Sequence, residues 1–196
     1  MLWLPTNNAP FALPRAMMSL GWNAPRRWTG TSVYYLQFIR GHMRADTARA
    51  ERFLKRYERA LPHLSEEMRR LVESQIGRSD IGFTIPSGRQ DASPYWHAIC
   101  TARLVGQNIS SSFMKTLSVR AAQSDSFEEL LRSISLEPSG HRSDIKSATK
   151  VLVVDDVLHT GRSVAACITH LRKAGHSTDA EVNVAVVLRT VGHVRG

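Results

Sequence analysis

Apolar positions along the chain follow two rhythms. From about Arg44, the residues Ala50, Phe53, Leu54, Tyr57 and Leu61 recur at the three- and four-residue spacing that gathers side chains on one helical face. Pro62 is expected to end that helix. Ser65 followed by Glu66 and Glu67 reads as an N-cap with acids at the positive end of a helix dipole. Met68, Leu71, Val72 and Ile76 then form a second stripe, so residues 44–76 predict a helical hairpin. After Gly77 the rhythm shortens. Ile81 to Ile85 predicts a short strand, and Ser93-Pro94 is an N-cap followed by proline at the first helical position. The stripe of that next helix is Tyr95 or Trp96, then Ile99, Cys100 and Leu104, with Gly106 as its stop.

Residues 107–125 are polar and poorly periodic until Ser126 and Glu129 form a capping box ahead of Phe127, Leu130, Leu131 and Ile134. Pro138 to Ser147 reads as loop. Val151 to Val154 is a run of aliphatic residues with the length and composition of a strand buried on both faces of a parallel sheet. Val164, Cys167, Ile168 and Leu171 make a helical stripe closed by Gly175, and Val182 to Leu188 supplies another buried strand. Strands alternating with helices predict an α/β fold, a mainly parallel sheet flanked by helices with a helical extension at the N-terminus.

Composition bounds this picture. With 196 residues, 42% hydrophobic, the chain can bury one core plus an appendage. The expected division is 1–76, an arm and hairpin that could serve as a hood or oligomerisation element, and 77–196, the core domain. Residues 1–30 mix Pro5, Pro10, Pro14 and Pro25 with Trp3, Trp22 and Trp28, which predicts an irregular arm packed on the body or on a neighbouring subunit of a homo-oligomer. No basic segment precedes a continuous apolar run as a signal peptide requires, and no stretch approaches the roughly 18 apolar residues of a membrane span. Cys100 and Cys167 have no paired spacing. A soluble, cytoplasmic protein is expected.

A formal net charge of +9 suits phosphorylated ligands, nucleic acid or anionic surfaces without choosing among them. The hairpin's arginines are interleaved with glutamates, the pattern of a solvated face rather than a nucleic-acid surface.

The chemistry concentrates in VLVVDDVLHTGRSVAACITHLRKAG, residues 151–175. Asp155 and Asp156 follow a buried strand at the end where open α/β sheets bind ligands. A turn with Thr160, Gly161 and Ser163 then leads into a helix N-terminus, whose unpaired N–H groups and dipole favour an anion. Two carboxylates would repel a phosphate, so their partners are hydroxyl groups or a metal carried by a ligand's phosphates. The bland alternative is that the acids only cap the turn.

This segment resembles the binding motif for PRPP (5-phosphoribosyl 1-pyrophosphate) of type I phosphoribosyltransferases: four apolar residues, two acids, two apolar residues and a hydroxyl-rich phosphate loop. By that resemblance Asp155 and Asp156 are the catalytic pair holding the ribose hydroxyls. His159, Thr160, Gly161, Arg162 and Ser163 wrap the 5′-phosphate, and Mg²⁺ rides on the pyrophosphate within reach of Asp155 and Asp156. His159 stands where a small Ser or Thr is usual, and Ser163 where Thr is common. Residues 81–106 are similar to the family's first strand, pyrophosphate loop and first helix, which implies pyrophosphate contacts from Ser87, Gly88 and Arg89. Lys115 and Arg120 fall where the family carries a flexible loop that closes over PRPP. The resemblance covers about residues 78–192 and is closest to the amidophosphoribosyltransferase-like and competence-protein-like (ComF-like) group. It implies transfer of a phosphoribosyl group to a base or amine. The competing expectation is a non-catalytic PRPP or nucleotide sensor that binds nucleic acid or a protein partner.

Overall fold

The computed structural model describes residues 31–40, 61–86, 94–115, 127–158 and 161–191. Five strands form one parallel sheet: β1 (Thr31–Arg40), β2 (Ser79–Thr84), β3 (Val105–Asn108), β6 (Lys150–Leu158) and β7 (Glu181–Val191). Their order across the sheet is β1-β7-β6-β2-β3. A separate antiparallel pair joins β4 (Phe113–Lys115) to β5 (Ile134–Leu136). The helices are α1 (Leu61–Leu71), α2 (Pro94–Thr101), α3 (Phe127–Ser133), α4 (Arg142–Ser147) and α5 (Arg162–Lys173). The α/β fold with a mainly parallel sheet flanked by helices is therefore present.

Two hydrophobic clusters sandwich the sheet, because aliphatic residues at alternating positions feed opposite faces. Val151 and Val153 of β6 and Val182, Val184 and Val186 of β7 pack against α5, with Ile145 of α4 in the same cluster. Phe113 of β4 joins them, its ring stacked on Phe83 of β2 with centroids 4.5 Å apart. Leu152, Val154, Ala185 and Val187 pack on the other side against Met68 of α1, Val72 just beyond it, and Tyr95, Trp96 and Ile99 of α2.

Several local expectations are corrected. Residues 31–40, grouped above with the N-terminal unit, are the outermost strand of the main sheet, in parallel register with β7 from Thr31↔Val182 to Arg40↔Val191. Pro62 is the second residue of α1, where its missing N–H has no partner to lose. Ser65 is consequently inside α1 rather than at its cap, and Glu66 pairs with Arg69 and Arg70 instead. Leu71 continues into a wider π turn, Val72–Ile76, which ends at Gly77 with φ 71°. Gly106 does not stop α2: the helix ends at Thr101, the left-handed residue is Arg103 (φ 56°), and Gly106 lies in β3. Ile134 belongs to β5 rather than to the preceding helix. Residues 142–147, expected as loop, form α4 because Ile145 has a buried place on the core. The arm at 1–30, the first helix of the hairpin up to residue 60, and the cap residues Ser93 and Ser126 lie outside the described residues.

Among the described residues no helix is long and apolar enough to cross a membrane.

Candidate functional site

The chain passes from β2 outward to β3, then returns to place β6 on β2's other side. That reversal of direction puts the sheet's topological switch point between β2 and β6, where a crevice opens at the carboxyl ends of the strands. β2 pairs with β6 only as far as Thr84↔Val154, with Ile85 N–H donating to the Val154 carbonyl at 3.3 Å. The next two residues of β6 are Asp155 and Asp156. Both carboxylates thus stand where β2 has ended and only β7 still borders β6.

The strand does not stop at the acids, as a turn directly after them would require. It continues to Leu158, paired with β7 through Asp155↔Val186, Val157↔Leu188 and Leu158↔Arg189. Asp155 is partly shielded and Asp156 exposed. One Asp155 oxygen accepts the Asp156 backbone N–H at 2.9 Å. Burial, reinforced by the neighbouring Asp156 charge, pushes the Asp155 carboxyl up to about 7, against the opposing pull of that N–H and of Lys115. Surrounding protein also raises Asp156, which keeps exposed surface.

After β6, Gly161 adopts φ 72°, a left-handed conformation that suits glycine, and its carbonyl accepts the Ala165 N–H at 2.9 Å as α5 begins. Arg162 and Ser163 are the first two residues of α5 and are half-buried. A helix N-terminus is therefore delivered after three residues beyond the end of the acid-bearing strand, the arrangement that suits an anionic group. His159 and Thr160 lie outside the described residues, as do Ser87, Gly88, Arg89 and Arg120.

Lys115, expected in a covering loop, is the last residue of β4 and half-buried. Burial lowers its ammonium, while the charge of Asp155 favours its protonated form. Lys115 thus belongs to the Asp155 side of the site. Tyr95, which sequence reasoning read only as a core residue, belongs to the Asp156 side: burial, then the charge of Asp156, push its phenol up to about 12. Its place after a strand, at the second position of the following helix, was the available signal.

Among the described residues no three or more His, Cys, Asp or Glu side chains gather as a metal cage. No curated protein matches the chain. The family model described as the phosphoribosyl transferase domain matches residues 108–192, from the end of β3 to just beyond β7, so the part of the chain that carries Asp155, Asp156 and the turn into α5 is similar to the type I phosphoribosyltransferase family.

Proposed function

We propose that the chain is a phosphoribosyltransferase, which binds PRPP with Mg²⁺ and transfers the 5-phosphoribosyl group to a nitrogenous base or amine. The observation that carries this reading is the acid pair at the switch point, with a left-handed glycine and a helix N-terminus soon after the strand ends. A polyhydroxylated sugar with a terminal phosphate matches both halves: its hydroxyls donate to carboxylates, and its phosphate accepts from the turn. The acceptor nitrogen would form a bond to C1 of the ribose as the bond from C1 to the pyrophosphate oxygen breaks, that oxygen keeping the electron pair. The nitrogen then gives up its proton.

Such a step demands positioning and electrostatics rather than a protein nucleophile. Asp155 and Asp156 would hold the ribose hydroxyls and face the positive charge that develops on the ring. His159, Thr160, Gly161, Arg162 and Ser163 would enclose the 5′-phosphate, and Ser87, Gly88 and Arg89 the pyrophosphate. Mg²⁺, when bound, would offset charge on the departing pyrophosphate. Lys115, on the Asp155 side, adds positive potential beside the ligand's phosphates.

Calorimetric titration of Mg²⁺ and PRPP tests the reading, with the Asp155→Asn, Asp156→Asn double variant alongside. Saturable binding by the wild type that disappears in the double variant is the expected result. A folded wild-type protein that takes up no PRPP would sink it and direct the search to nucleic-acid or protein ligands.

A further inference from the structure

The crevice at the switch point has the end of β2 as one wall, and a single side chain helps to hold that end. In a parallel ladder each residue turns its N–H and C=O to one neighbouring strand, and the next residue turns them to the other. Ile85 turns its N–H to β6, onto the Val154 carbonyl at 3.3 Å, immediately before Asp155. Gly82 turns its carbonyl to β3, where it accepts the Ile109 N–H at 3.0 Å. The next donor on the β3 side is the Thr84 N–H. By then β3 has ended at Asn108, and the Thr84 N–H donates instead to the Ser110 hydroxyl oxygen at 3.1 Å. A side chain thus supplies the rung that the strand has stopped providing.

Ser110 is carried on a well-anchored turn. The Asn108 side-chain oxygen accepts the Ser110 N–H at 2.9 Å and bends the chain out of the strand. A single tight turn, Ser110–Ser112, follows, and the Ser112 N–H donates to the Ile109 carbonyl at 3.0 Å. Both flanks lie in the core: Ile109 is fully buried, and Phe113 is buried with its ring against Phe83 of β2. The Glu137 N–H donates to the Ser112 carbonyl at 2.8 Å, which ties the turn to the end of β5. The Ser110 oxygen is therefore held in place for Thr84 by contacts that do not involve the crevice.

We propose that Ser110 is a positioning residue: its hydroxyl sets the direction in which the chain leaves β2, and so the presentation of the residues that follow Pro86 to a pyrophosphate group. Those residues are Ser87, Gly88 and Arg89, so the ligand side of this inference rests on the phosphoribosyl reading above, but the hold on the end of β2 does not. With alanine at 110 the Thr84 N–H loses its acceptor, and the strand end is fastened only on its β6 side, through Ile85. An anion that takes several donors at once needs all of them aimed beforehand, so a loosened strand end weakens its binding. The turn into α5 hangs on β6, two strands from β3, and is independent of Ser110.

The test compares Ser110→Ala, which removes the hydroxyl, with Ser110→Thr, which keeps it, and with Ser111→Ala at the exposed neighbour. In calorimetry with Mg²⁺, Ser110→Ala is expected to weaken PRPP binding by about twofold to tenfold, the range of one hydrogen bond. Affinity for ribose 5-phosphate, which lacks the pyrophosphate, should be unchanged, and Ser110→Thr and Ser111→Ala should match the wild type for both ligands. Unchanged PRPP affinity in folded Ser110→Ala overturns the proposal, and so does an equal loss for the two ligands, the mark of a merely structural role. In ligand-free protein, amide hydrogen exchange is expected to be faster at Thr84 and Ile85 in Ser110→Ala than in the wild type or Ser110→Thr. Exchange at Ile85 that ignores the hydroxyl shows a strand end aimed without it and overturns the positioning. A folded wild type that takes up no PRPP overturns the phosphoribosyl reading instead, and the exchange rates still judge Ser110.

Discussion

At the scale of single residues, this chain uses carboxylates in two opposite ways. Asp80, at the start of β2, accepts three hydrogen bonds through one oxygen: from the Thr149 N–H at 2.8 Å, the Thr149 hydroxyl at 2.9 Å and the Lys150 N–H at 3.0 Å. The Thr149 N–H and hydroxyl lead in holding it below the usual carboxylate range. It fastens the entry of β6 to β2 at the end of the sheet opposite Asp155 and Asp156. Lys150 completes the fastening by donating its ammonium to the Ile76 carbonyl at the end of the π turn. Asp80→Ala should lower unfolding stability by about 1–3 kcal/mol in denaturant titration, with PRPP affinity unchanged because the site lies at the far end of the strands. Asp155 is the reverse case, a carboxylate that burial drives toward its neutral form at the place where ligand hydroxyls would favour the charged one.

At the scale of elements, two glycines separate packing from presentation. A Cβ on Gly106 would stand 2.7 Å from the Asp80 backbone oxygen, so β3 lies flat on β2 only without a side chain there. Gly161 has space, with Leu158 Cδ1 at 3.8 Å as the nearest obstacle, but its φ of 72° strains any other residue. Gly106→Ala is expected to cost about 1–3 kcal/mol of stability and leave ligand affinity alone. Gly161→Ala should cost only about 1 kcal/mol yet weaken PRPP binding, because the turn that delivers α5 changes its aim. Equal loss of affinity in both variants, read by calorimetry on folded protein, would contradict this separation.

At the scale of the whole molecule, two groups titrate in opposite senses. The Nδ1 of His176, buried where α5 gives way to β7, lies 2.8 Å from the Arg172 guanidinium, which can only donate, so the ring is neutral. Burial, then the Arg172 charge, depress it from 6.5 to about 4. Its contribution is present above pH 6.5 and is lost as pH falls toward 4, since the unfolded chain takes up that proton first. Asp155, raised from 3.8 to about 7, does the opposite: its contribution is full below 3.8 and is lost as pH rises through 7. The two slopes oppose each other across pH 4–6.5. Stability of the ligand-free wild type should therefore vary weakly in that window. Asp155→Asn should make stability rise with pH there, and His176→Asn should make it fall. Chemical denaturation at three or four pH values distinguishes these slopes, and parallel profiles for all three proteins would show that neither group governs them.

The residues alone determined three strands of the α/β layer, β2, β6 and β7, and the location of the acid pair, because a strand buried on both faces must be uniformly aliphatic and two acids following such a run stand out. The same was true of α5, whose stripe of Val164, Cys167, Ile168 and Leu171 buries as its spacing requires. Tertiary structure decided what spacing does not encode. β1 joins the sheet through pairing with β7, a contact between segments some 150 residues apart whose register no local pattern records. α4 and β5 are short elements held by Ile145 and Ile134 in the core rather than by their own propensity. The division of Asp155 from Asp156, and with it the separate company of Lys115 and Tyr95, follows from a strand that continues past the acids under the hold of β7. A period of two along one strand is visible in sequence only once it is known that the strand has not ended.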